Sequence, residues 1–169
     1  MLALKLIPSP RSTAPSHNPF VVPHLLSLFF QTLTLIISTV GPHSFYLASI
    51  THETLDLLLS FNSTPVANEP IIMSALLSLF LAVVDLNVAS GSAGEERLVT
   101  DLATQVMELR EWLSDVFDSM PATKGRPQEA ANDPQEQART LAAGIMVKLS
   151  EVIERYQGRL MGVNVGFNY

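Results

Sequence analysis

Cysteine is missing from all 169 residues, which excludes disulfides, thiolate metal sites and a cysteine nucleophile. Between Arg11 and Arg97 there is no Lys or Arg, and from Ser12 to His52 there is no Asp or Glu either. Charged residues make up 15% of the chain, against roughly 25% in a free globular domain. A shortfall of that size implies surface that more protein covers. Clustered basic residues are also lacking. The net charge is −6, and Lys124 and Arg126 stand alone in their segment, which argues against a phosphate-gripping nucleic-acid module. No Gly-rich loop followed by Lys-Ser/Thr occurs, and Gly91-Ser92-Ala93-Gly94 lacks the spacing of a nucleophile elbow.

What remains is helical punctuation. The leader, residues 1–22, carries Pro8, Pro10, Pro15 and Pro19 with Ser and Thr between them, so a disordered Pro/Ser-rich segment without a helix is expected there. Lys5 and Arg11 without acids faintly resemble a mitochondrial transit peptide, but the prolines spoil its amphipathic helix. From 23 to 169 periodicity predicts one all-α domain of about five helices. The first spans 23–40, with Pro23 in its first turn and Gly41-Pro42 as its stop. A second spans 44–61 with Ser44 as N-cap, and a third starts at Glu69-Pro70 and ends near 86. Residues 90–94 read as a flexible loop.

The fourth helix has Glu95 and Glu96 in its first turn, where the helix dipole favours anions. Its apolar stripe is Leu98, Leu102, Val106, Leu109, Leu113 and Phe117, opposite Asp101, Glu108, Glu111 and Asp115. Residues 120–132 read as a solvated loop. The fifth helix has the clearest start: Asp133 as N-cap, Pro134 at the first position and Glu136 completing a capping-box-like arrangement. Its stripe is Leu141, Ile145, Leu149, Val152 and Tyr156, with Lys148, Glu151, Arg155 and Arg159 expected to face water and Gly162 expected to end it. The starts at Pro23 and Pro70 suggest helix pairs repeating near 47 residues, the period of a HEAT-like α-solenoid. On that reading the last helix caps the stack.

Lipid is the rival home for the uncharged half, as a small two-helix membrane protein with a cytosolic helical tail. The first segment, 24–40, is interrupted by Ser27, Gln31, Thr32, Thr34, Ser38 and Thr39, and the third is read as 71–86 with Asp85 near its end. Both fall short of the about 20 apolar residues a bilayer core needs. Neither is flanked by Lys or Arg, so there is no topology signal. The second carries Glu53 and Asp56, each costing about 2.5–3.5 kcal/mol at mid-bilayer. A buried protein core is the expectation.

Candidate chemistry is sparse. His52-Glu53-Thr54-Leu55-Asp56 places His52 and Asp56 on one helical face, but His17, His24 and His43 supply no third ligand at useful spacing, as a catalytic zinc requires. Asn62-Ser63-Thr64 is formally a glycosylation sequon, and without secretion it is simply a turn. No catalytic residue, metal site or cofactor is expected. Trp112 beside the Leu109/Leu113 stripe is a core-edge residue or an interface anchor. Arg155, Arg159, Phe167 and Tyr169 are candidate exposed contact points.

The segment Arg139 to Gly162, closing on Val165-Gly166-Phe167, resembles the extreme C-terminus of fungal telomere length regulation proteins. Residues 102–117, with Glu111-Trp112-Leu113, are similar to the preceding helix of that family, and 24–59, with Leu55-Asp56-Leu57-Leu58-Leu59, agree more loosely. The resemblance implies a non-enzymatic α-solenoid scaffold of the TTT cochaperone complex, in the cytoplasm and nucleus. Its implied partners are two other TTT solenoid subunits and phosphatidylinositol-3-kinase-related kinases. The ninety-kilodalton heat-shock chaperone system (Hsp90) is engaged indirectly. No small-molecule substrate, no nucleic acid and no membrane are implied. The pathways would be telomere maintenance, the DNA-damage response and TOR signalling. The family's amino-terminal solenoid and acidic chaperone-recruiting linker have no counterpart in these residues.

Overall fold

The computed structural model of the chain describes residues 23–119 and 133–165. The expected leader at 1–22 and the loop at 120–132 therefore lie outside the described residues, as do Phe167 and Tyr169. All regular structure among the described residues is helical, with no strand. Helix α1 spans Pro23–Thr39, α2 Leu47–Asn62, α3 Pro70–Ala89, α4 Ser92–Glu96, α5 Ala103–Ser119 and α6 Pro134–Val165, with a short 3-10 turn at Pro65–Asn68. A π-helical turn, Arg97–Asp101, joins α4 to α5. The Leu102 amide there donates to the Arg97 carbonyl, five residues back, at 3.0 Å.

Helix α3 is the centre of the fold. It is apolar on nearly every side, and eleven of its residues are buried, among them Ile72, Leu76, Leu79, Phe80 and Val83. A helix hydrophobic all round must be enclosed all round, and α3 is flanked by α1 on one side and α6 on the other. Helices α2 and α5 lie against each other and beneath that row, α2 touching α3 and α5 touching α6. The helices thus sort into two rows: α1, α3, α6 and α2, α5. Each member of the first row begins with proline (Pro23, Pro70, Pro134), where the missing N–H has no helical carbonyl to lose.

Two cross-links show that α3 and α6 run parallel. The Ser74 hydroxyl meets Gln137 Oε1 at 3.5 Å, and Asp85, eleven residues on, pairs with Lys148, also eleven residues on. Phe30 of α1 meets Phe61 of α2 edge-on, ring centroids 4.9 Å apart, joining the rows at the other end. Each large side chain removed from water here contributes about 1.5–3 kcal/mol.

Several expectations need correction. The helix expected at 44–61 begins at Leu47. The Ser44 hydroxyl accepts the Tyr46 amide at 3.3 Å and so shapes the turn before the helix instead of capping it. The third helix has 20 residues and an apolar window of mean hydropathy 2.2, so it meets the length requirement that 71–86 missed, yet 61% of that window is buried in the fold. Residues 90–94 are not a flexible loop. The chain turns at Gly91 alone (φ 75°), and α4 begins at once. Gly94 is buried so tightly that a Cβ there would sit 2.0 Å from the Asn87 carbonyl oxygen.

The stripe expected of the fourth helix holds for Leu98 in the π-helical turn, for Leu102 at its end and for Val106, Leu109 and Leu113 of α5, but its next buried member is Val116, not Phe117. Phe117 lies half-buried under the Arg139 guanidinium, 4.8 Å from its ring centroid. Helix α6 starts as expected, with the Asp133 carboxylate accepting the Gln135 amide at 3.0 Å. It runs through Gly162 to Val165. Ile145, Leu149 and Val152 of its stripe are buried with Ala138 and Ala142, while Leu141 and Tyr156 are half-buried.

Candidate functional site

The possible metal site does not assemble. His52 Nε2 and Asp56 Oδ2 approach to 3.5 Å across one turn, both more than half exposed, and Asp56 is already engaged by the Gln105 side chain of α5. Among the described residues no group of three or more His, Cys, Asp or Glu is placed to hold a metal ion.

The cationic candidates of α6 do not simply face water. Arg155 Nε donates to Glu95 Oε1 at 2.7 Å, and Arg159 Nη1 donates to Glu95 Oε2 at 2.5 Å. Each carboxylate oxygen of this buried residue thus holds one guanidinium. Arg155 also lies 3.7 Å from Glu151, and the Arg159 guanidinium carbon is 5.9 Å from the Tyr156 ring centroid. Burial pushes the Glu95 carboxyl up, and the hydrogen bonds and charges of Arg159 and Arg155 more than offset it. The net position is below the ordinary 4.5. Lys148 likewise pairs with Asp85. Arg155 and Arg159 therefore fasten α6 to α4.

A second polar knot sits beside this clasp. The buried Asn87 donates from Nδ2 to Thr51 Oγ1 and to the Val83 carbonyl, both at 2.9 Å, and its Oδ1 accepts Arg97 Nη1 at 3.0 Å. Thr51 in turn donates to the Leu47 carbonyl at 2.8 Å. These bonds tie the start of α2, the end of α3 and the π-helical turn together. Every polar atom named in the knot has a partner, as burial demands. Trp112 is half-buried against the core, so its indole serves packing on at least one face.

The surface that sequence reading did not single out is the outer face of α1. Leu25, Leu28, Phe29, Leu35 and Ile36 are 57%, 59%, 39%, 69% and 55% exposed. With Thr32 and Thr39 they recur at spacings of three and four, a stripe opposite the buried Ser27, Phe30 and Ile37. The hydroxyls do not make this face polar. Thr32 Oγ1 donates to the Leu28 carbonyl at 2.8 Å and Thr39 Oγ1 to the Ile36 carbonyl at 2.6 Å, leaving their methyl groups for packing. Thr34 and Ser38 on the flank spend their hydroxyls the same way, on Phe30 and Thr34 carbonyls at 2.8 Å. Helix α1 carries no Asp, Glu, Lys or Arg. Between α1 and α3 runs an open groove lined by Thr34, Ser38, Ser78, Leu81, Ala82 and Asp85. The alternation of apolar and hydroxyl residues from 24 to 39 was the available signal. Read for one buried face it gives a core helix; read for two it gives a core face and a free one.

Compared with family models, curated proteins and solved structures, the chain has no match.

Proposed function

We propose that this protein is a non-enzymatic helical scaffold that works by holding other protein surfaces. The observation that supports this reading is the asymmetry of the α1–α3–α6 row. At the α6 end Val147, Leu160 and Met161 are exposed too, but they stand among Gln137, Glu151, Glu154 and Gln157, so charged and amide groups break up that outer face as in a terminal repeat. At the α1 end the outer face is apolar and uncharged. An apolar face of this extent on a soluble chain is an interaction surface.

On this proposal the two rows are a short HEAT-like solenoid, α1 with α2, α3 with α4–α5, and α6 as cap. The resemblance of residues 102–117 and 139–167 to telomere length regulation proteins names the assembly: the TTT complex and, through it, stability of phosphatidylinositol-3-kinase-related kinases. Co-purification from native cells tests this. Recovery of the two other TTT subunits supports the reading, and a chain that recovers neither contradicts it. Insertion of α3 into lipid is the rival. It draws on the 20-residue length of α3, and it would require abandoning the burial of that helix between α1 and α6.

A further inference from the structure

We infer that the outer face of α1 is a homodimer seam: two copies of this chain pair through antiparallel α1 helices about a two-fold axis at Thr32. The inference rests on the reading of that face as an interface and gives it an occupant.

Three observations carry it. The first is register. Counting outward from Thr32, Phe29 and Leu35 lie three residues away, Leu28 and Ile36 four, and Leu25 and Thr39 seven. An antiparallel pairing about Thr32 therefore sets Phe29 against Leu35 and Leu28 against Ile36 of the second copy, and each contact occurs twice. A two-fold interface needs this self-complementarity. The second is charge. A seam between identical copies brings like groups near one another at its centre, and α1 carries no Asp, Glu, Lys or Arg to repel its mate. Thr32, which would face itself across the axis, has its hydroxyl turned back to the Leu28 carbonyl. The third is extent. At about 200 Å² for each large side chain fully exposed, the five apolar residues offer on the order of 500 Å² per copy. A pair that covered all of this area would bury about 1,000 Å², the threshold of a specific interface and the size class of a reversible one.

The absence of cysteine makes the test clean. In Thr32→Cys the only thiols are the two on the proposed axis, and helices packed about 8–10 Å apart bring such Cα atoms within disulfide range. The full chain, purified without detergent, is measured by light scattering from about 1 to 100 μM and oxidised as Thr32→Cys, with the exposed Thr104→Cys on α5 as control. The expected result is a mass rising with concentration from 18.5 kDa toward twice that value. A covalent dimer should form at least tenfold faster for Thr32→Cys than for Thr104→Cys. Leu28→Glu with Leu35→Glu, both at exposed positions, should keep the helical circular dichroism and remain at 18.5 kDa throughout.

A chain that stays monomeric and cross-links no faster at Thr32 overturns the inference. So does an oligomer that the double Glu variant leaves intact. Binding of the native chain to neutral phosphatidylcholine vesicles in place of self-association, abolished by the double variant, also overturns it. The scaffold reading fails separately: it falls if native co-purification yields no protein partner, whether or not the chain dimerises.

Discussion

Replacing Glu95 by Gln keeps the size of the side chain and removes the one charge that Arg155 and Arg159 share. Deleting one member of a buried ion pair costs about 3–5 kcal/mol, because the other is stranded. Here the stranded partners are not deeply buried: Arg155 and Arg159 side chains are 45% and 39% exposed. Water recovers part of the loss, and Gln retains one acceptor oxygen, so the expected cost is about 2 kcal/mol. For a chain of this length that lowers Tm by about 4–8 °C. The control is Glu151→Gln. Its carboxylate is 59% exposed and 3.7 Å from Arg155, and its loss should cost less than about 0.5 kcal/mol.

The pH dependence fixes the mechanism. Burial raises the Glu95 carboxyl, its two arginines lower it further, and the folded value lies below 4.5. A depressed acid stabilises the fold in full above its unfolded pKa and loses that contribution as pH falls through the folded one. The gap in stability between the wild type and Glu95→Gln should therefore stay constant from neutrality to about pH 5 and close only below that. Urea unfolding across pH measures it. Equal stability of the two proteins at neutral pH, or a gap that closes between about pH 7 and 5, refutes the reasoning.

Glycine substitutions should have opposite signs at two sites. Gly94→Ala puts a Cβ 2.0 Å from the Asn87 carbonyl oxygen and should cost about 2–3 kcal/mol in urea unfolding, whereas Gly144→Ala, in open space within α6, should stabilise by about 0.5–1 kcal/mol. Asn87→Ala strands Thr51 and Arg97 and should cost about 2–3 kcal/mol, with hydrogen exchange rising at the start of α2 and the end of α3. Phe80→Ala, at a fully buried position of α3, should lower stability by about 3–5 kcal/mol. Metal analysis of the purified chain should find no stoichiometric zinc, and His52→Ala should leave its Tm unchanged.

Local signals in the sequence reach the helix starts and the buried faces but not the contacts between distant segments. Pro23, Pro70 and Asp133-Pro134 mark the three helices of the first row because their effect on the backbone is confined to one turn. The stripe from Leu98 to Leu113 is legible because burial on one side follows the helical period. Ser90 to Gly94 misleads for the converse reason. Gly and Ser usually signal a loop, but Gly94 is there so that α4 can close on the Asn87 carbonyl, a requirement visible only in three dimensions. Arg155 and Arg159 are some 60 residues from Glu95 in the chain, so their pairing leaves no local pattern, and a water-facing role was the natural expectation. The outer stripe of α1 was hidden by its own composition. With both faces apolar or hydroxyl-bearing, nothing in the segment marks which one the fold leaves uncovered.

Alkaline carbonate extraction of membranes from cells expressing the full chain tests most directly where the uncharged half is sheltered. Burial of α3 between α1 and α6 predicts that the protein is released to the supernatant. Retention in the pellet alongside an integral membrane marker would contradict it.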